Sequence, residues 1–138
     1  MAKKKFRGAE IVKEIDDALD KGLARFLINT QSKLSVSSPI DTGRLASSWM
    51  IGKGVPDRSV PPERDEPAPP TIEKYGGPIT MESDWWISSN LPYSERAAYD
   101  PGYVGRRGGG AGDWFTRIEN GLPKDVERAF DFFLRKVK

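Results

Sequence analysis

From Ala9 to Leu34 apolar side chains recur at intervals of three and four: Ile11, Val12, Ile15, Leu19, Leu23, Phe26, Leu27 and Leu34. That spacing puts them on one face of an α-helix. The opposite face carries Glu10, Lys13, Glu14, Asp17, Lys21 and Arg25. Acids lie early and Lys33 late, as the helix dipole favours. A helix this long is expected to act as a spine with one face on a sheet. Gly22 in its interior costs about 1 kcal/mol relative to alanine, unless a close neighbour requires it.

Pro39 ends the helical pattern, because the residue before a proline is pushed out of the α region. Leu45 to Gly52 then predicts a first strand, with Trp49 and Ile51 on one face and Met50 on the other. Six prolines and six charges fill Gly54 to Pro70, and no packed element forms from that composition. Residues 53–72 are therefore expected to be an extended arm or a mobile loop. Ile79 to Asn90, rich in β-branched and aromatic residues, predicts a second strand. A turn and a short helix through Glu95 to Tyr99 follow.

Residues 101–113 contain "PGYVGRRGGGAGD", a glycine-rich loop. Asp113 or Thr116 is placed to cap a short element holding Trp114, Phe115 and Ile118. Leu122 to Val137 predicts a final helix, with Pro123 in its first turn and Arg135, Lys136 and Lys138 at its C-terminal end. Its apolar face is Val126, Ala129, Phe130, Phe133, Leu134 and Val137. The predicted fold class is α+β: a long N-terminal and a C-terminal helix packed on a small antiparallel sheet, with extended loops. All 138 residues are expected to form one domain, with residues 1–8 a basic flexible tail.

Composition narrows the chemistry sharply. The chain has no cysteine and no histidine, so disulfides, thiolate nucleophiles, a histidine base and His/Cys zinc sites are all excluded. Asp41, Asp57, Glu82, Asp84, Glu95 and Asp100 follow no metal-ligand spacing, and Ser37, Ser38, Ser47 and Ser48 have no lysine partner at a motif spacing. The glycine loop lacks the Lys-Ser/Thr pair of a phosphate-binding loop and the preceding crossover of a dinucleotide site. No enzymatic activity, no cofactor and no small-molecule ligand are expected. No apolar run is long enough to span a membrane, so no membrane association is expected either. With 22 basic residues against 20 acids, the net charge of +2 does not by itself predict nucleic-acid binding. Lys3, Lys4, Lys5 and the pair Arg106 and Arg107 are the places where DNA phosphates or a neighbouring subunit would be met. Trp85 and Trp86, on opposite faces of a strand, read as one core residue and one that covers an edge or interface.

Two segments carry a family resemblance. Ser38 to Trp49, "SPIDTGRLASSW", resembles the Ser-Pro-Val/Ile-Asp-Thr-Gly-X-Leu-X-X-Ser-Trp/Phe signature of bacteriophage neck proteins. Ser88 to Asp100, "SSNLPYSERAAYD", is similar to the family's Asn-X-X-Pro-Tyr-Ala-X-X-X-Glu-Tyr/Phe-Gly segment, with Ala98-Tyr99-Asp100 standing where the family has Glu-Tyr/Phe-Gly. The family comprises the head–tail joining, or tail-completion, proteins of long-tailed phages. The resemblance implies a non-catalytic virion subunit, made in the bacterial host cytoplasm, that assembles into a homo-oligomeric ring, typically hexameric, at the head–tail junction. Its neighbours would be connector or adaptor proteins and tail-terminator or tail-tube proteins, with transient, non-specific contact to the DNA in its lumen. The assembly motif carried over is Pro39, Asp41, Thr42, Gly43, Arg44, Leu45 and Trp49, with Asn90, Pro92, Tyr93 and Tyr99. Within it, Asp41 or Thr42 is suited to a side-chain-capped turn, Gly43 to a positive φ or a close approach, and Arg44 to a pair with Asp41 or with an acid of another subunit. Leu45 and Trp49 are expected in the core. The rival readings are a small nucleic-acid-binding protein using the basic tail and the Arg-Gly loop, and, ranked lowest, a metal-dependent nuclease.

Overall fold

A computed structural model describes residues 8–40, 42–63, 66–100, 102–103, 105, 109–110 and 112–137. The elements are α1 (Gly8–Ser37), β1 (Met50–Lys53), β2 (Trp85–Ser88), α2 (Ser94–Tyr99) and α3 (Trp114–Leu134). This is an α+β architecture. The two strands pair antiparallel, with Met50 opposite Ser88 and Lys53 opposite Trp85.

Helix α1 has 30 residues, a length of about 45 Å. Its principal partner is α3 rather than the sheet. Leu34 packs with Trp114 near one end, Lys33 Nζ reaches Asp125 Oδ2 at 2.7 Å, and Gly22 abuts Phe130, so the helices run antiparallel. The buried stripe of α1 is Ala18, Gly22, Leu27, Thr30, Gln31, Leu34 and Ser35. Of the stripe that apolar spacing predicts, Leu27 and Leu34 are buried and Ile11, Leu19, Leu23 and Phe26 half-buried, whereas Val12 and Ile15 are exposed. A Cβ on Gly22 would lie 2.7 Å from Phe130 Cδ1 and 3.0 Å from Phe130 Cα, so small residues mark the seam.

Both strands are shorter than the periodicity predicts. Residues 44–47 form a turn instead of strand. Ser47 N–H donates to Gly43 O at 3.1 Å and Ser48 N–H to Leu45 O at 3.0 Å, and both serine hydroxyls donate to the same carbonyls. Local serine-to-backbone bonding here outcompetes the ladder. Before β2, Met81 N–H donates to Asp20 Oδ1 and the Trp85 indole N–H to Thr80 O, which holds a turn where a longer strand is expected. Trp86 is 48% exposed and Trp85 half-buried.

The two elements predicted at the C-terminus are one continuous helix, α3, with Pro123 inside it. Proline removes one helical hydrogen bond and crowds the preceding turn. Pro123 is exposed, while Trp114 on one side of it and Ala129 on the other are buried. Packing on both flanks thus carries the helix through. Asp113 stands at the N-cap position without a side-chain cap bond. Its Oδ1 instead meets Arg117 Nε at 3.0 Å, and Thr116 lies within the helix.

The proline-rich segment is extended and lies along the body. Thr71 N–H donates to Ser47 Oγ at 2.9 Å, Ala68 N–H to Thr42 O at 3.2 Å, and Gln31 Nε2 to Glu73 O at 3.0 Å. Among the described residues no helix is long and apolar enough to cross a membrane.

Candidate functional site

The turn from α1 toward β1 is built around a buried polar chain. The Trp49 indole N–H donates to Ser38 Oγ at 2.8 Å, and the Ser38 hydroxyl donates to Leu34 O at 2.6 Å. Gln31 Nε2 donates to Trp49 O at 2.8 Å. Each partner is buried, so each bond satisfies a group that water does not reach. The Trp49 ring meets Trp114 edge-on at 6.3 Å and stacks on Phe115 at 5.9 Å. With Leu34 and Ala98 these rings form the main apolar cluster.

Gly43 has φ +88°, a region that L side chains rarely adopt. Thr42 Oγ1 accepts a long bond from Arg44 N–H at 3.4 Å, the hydroxyl form of the expected capped turn. Arg44 Nε donates to Pro61 O at 3.0 Å, so this side chain ties the proline-rich segment to the corner. Pro39 is buried, and Leu45 is 4% and Trp49 6% exposed. Asp41, Lys3, Lys4, Lys5, Arg106 and Arg107 lie outside the described residues.

The glycine loop closes onto this corner. Gly110 N–H donates to Ser37 O at 3.0 Å. Gly109 and Gly110 have φ +73° and +66°. A Cβ on Gly109 would strike the Ser38 carbonyl, and one on Gly110 the Pro39 ring. These two glycines are therefore packing residues, which their composition alone reads as loop flexibility.

The second segment meets the first. Leu45 packs with Leu91 and Ala97, and Tyr93 and Tyr103 cover that cluster. Ser48 Oγ and Ser89 Oγ are 2.6 Å apart, and Ser94 Oγ donates to Leu91 O at 2.8 Å. The Trp114 indole N–H donates to Ala97 O at 3.0 Å, so α2 is clamped between the corner and α3. Asn90 is exposed and its Nδ2 donates to Arg58 O at 3.3 Å. Pro92 is exposed on the turn before α2. Tyr99 is 57% exposed, with its ring edge-on to Phe115 at 5.2 Å. Partial desolvation, then the Glu119 and Glu95 carboxylates, raise the Tyr99 pKa. Asp57, whose Oδ1 accepts from Ser59 N–H at 2.8 Å, has its pKa lowered by bonding to Ser59.

Sequence reasoning singled out Leu45, Trp49 and Tyr93 and weighed Ser38 only as a nucleophile, but it passed over Gln31, Leu91 and the packing of Ala97 and Ala98, which complete the junction. Gln31, a polar residue between Leu27 and Leu34 on the apolar face of α1, is a local signal for its own buried hydrogen bonds, to Trp49 O and Glu73 O. The serine hydroxyls of the corner bond backbone carbonyls or another serine, an arrangement that orders a turn and offers no base to activate a nucleophile. Among the described residues no group of three or more acids, histidines or cysteines could hold a metal ion.

No family model, curated protein or solved structure matches the chain.

Proposed function

We propose that this chain is a structural virion subunit of a long-tailed phage, forming a hexameric ring at the head–tail junction that joins tail to connector and lets DNA pass through its lumen. The observation that carries this reading is the junction of the two segments with the family resemblance. Leu45 of the first and Leu91 and Ala97 of the second share one buried cluster, and Trp49 and Ala98 share the other. Segments some forty residues apart thus pack as one unit. Within it the polar atoms of the corner serve geometry and Tyr99 is exposed, and outside it Trp86, Val55 and Val60 are exposed as well. In this reading the subunit performs no catalysis, and its partners are further copies of itself, the connector or adaptor below the head, and the tail-terminator or tail-tube proteins.

Sedimentation velocity of the purified protein over a concentration series, with electron microscopy of the product, tests the reading. The expected result is a closed ring. A chain that stays monomeric at every concentration, together with normally joined tails in particles lacking it, would overturn it.

A further inference from the structure

A groove of about 540 Å³ runs between α1 and α3, away from the corner. Phe26, Thr30 and Ala129 line it, with Arg25, Arg128 and Phe132. The Arg25 guanidinium lies 4.1 Å from the centre of the Phe132 ring, which holds that cation in place. Neither Arg25 nor Arg128 forms an ion pair among the described residues. Lys33 and Asp125, also in the groove, neutralise each other, so the two arginines leave it positive. Phe132 is 43% exposed, and Thr30 Oγ1, buried in the groove lining, has no hydrogen-bond partner. The groove combines an apolar wall with two cations that no carboxylate among the described residues neutralises.

The first half of α1 has the opposite character. Five carboxylates stand against one lysine between Glu10 and Asp20. Val12 and Ile15 are 57% and 37% exposed, and with Asp16 they occupy positions i, i+3 and i+4 of one helix face. Asp16 has no ion-pair or hydrogen-bond partner among the described residues.

We infer that the groove receives the acidic, apolar first half of α1 from a second copy of the chain. Charge and apolar surface match on both sides of the contact. The match cannot be made within one molecule. Ile15 and Arg25 lie on the same α-helix, about 15 Å apart along its axis, and a continuous helix does not fold back on itself. The contact joins two different surfaces of the chain, and repeated head-to-tail it is the type that closes into a ring when the rotation between copies permits. This inference rests on the ring reading above and names the two surfaces that meet in it.

The test is charge exchange, read by sedimentation velocity at low and high salt. The groove-reversed chain carries Arg25→Glu and Arg128→Glu; the helix-reversed chain carries Val12→Arg and Asp16→Arg, both on the exposed face. Circular dichroism melts confirm that each folds. The expected result is that the wild type assembles, and that it does so less as salt rises. Each reversed chain alone should sediment as monomer, and an equimolar mixture of the two should recover the wild-type assembly. If the wild type assembles and either reversed chain assembles equally well, or if salt between roughly 0.05 and 0.5 M, a range over which screening changes strongly, leaves assembly unchanged, the surfaces named here are wrong and the ring reading stands. If the wild type never assembles, the ring reading falls and this inference with it.

Discussion

The Trp49 indole N–H donates to Ser38 Oγ across the corner between α1 and β1, at 2.8 Å in a fully buried setting. The same hydroxyl donates a hydrogen bond to Leu34 O. One serine thus links the last turns of the helix to the ring that anchors the core. Ser38→Ala removes the acceptor and leaves a buried indole N–H unpaired. The expected loss is about 1–3 kcal/mol, read as a lower urea midpoint with an unchanged slope.

Gly22→Ala sets two effects against each other. Alanine improves helix propensity by about 1 kcal/mol. Its Cβ, however, would lie 2.7 Å from a Phe130 ring carbon and 3.0 Å from the Phe130 Cα. The second contact is to backbone, which cannot rotate away. Overpacking of this kind costs about 1–3 kcal/mol, so the variant is expected to melt lower. A higher melting temperature would show that α3 can move away from α1 at little cost.

Gly43→Val places a β-branched side chain at φ +88°. Strain in that region is about 1–3 kcal/mol or more, and the corner has no slack, since Ser47 N–H bonds Gly43 O. Misfolding or failed assembly is expected. A soluble, native-like and assembly-competent variant would count against the turn geometry.

Pro123→Ala restores a helical N–H in the middle of α3. Proline in a helix interior costs about 3 kcal/mol, offset in part by the roughly 1 kcal/mol it contributes by restricting the unfolded chain. The exposed position offers no packing to lose. The variant is expected to gain about 1–2 kcal/mol, measured by thermal or urea unfolding.

Tyr99 makes a pH prediction. Its folded pKa is raised, first by desolvation and then by Glu119, so the folded state holds the phenol proton more tightly than the unfolded chain. That contribution to stability is complete below the unfolded value near 10 and is lost as pH rises through the folded value. Ultraviolet titration of the phenolate should show one tyrosine ionising late. Glu119→Gln should bring that transition to lower pH, and Tyr99→Phe should remove it.

The helices were readable because their information is local. Apolar spacing, an early run of acids and Pro39 define α1 without reference to anything distant, and the run from Val126 to Val137 does the same for the end of α3. The α+β class followed from those helices and two aromatic, β-branched stretches. The positive φ of Gly43 was readable for the same reason, whereas the serine-bonded turn at residues 44–47 stands where a strand was expected.

Only the tertiary structure decided which faces were buried and where elements stopped. Val12 and Ile15 fit the apolar stripe yet stand exposed, while Gly22, which carries no apolar side chain, takes the close contact with Phe130 of α3. Pro123 breaks a helix by local rules, and α3 runs through it because both flanks are packed. Gly109 and Gly110 read as flexible loop, and become close contacts once Ser38 and Pro39 are brought against them. In each case the deciding energy comes from a residue far away in the chain. Spacing determines what an element can be, and the distance between packed backbones determines which side chains fit between them.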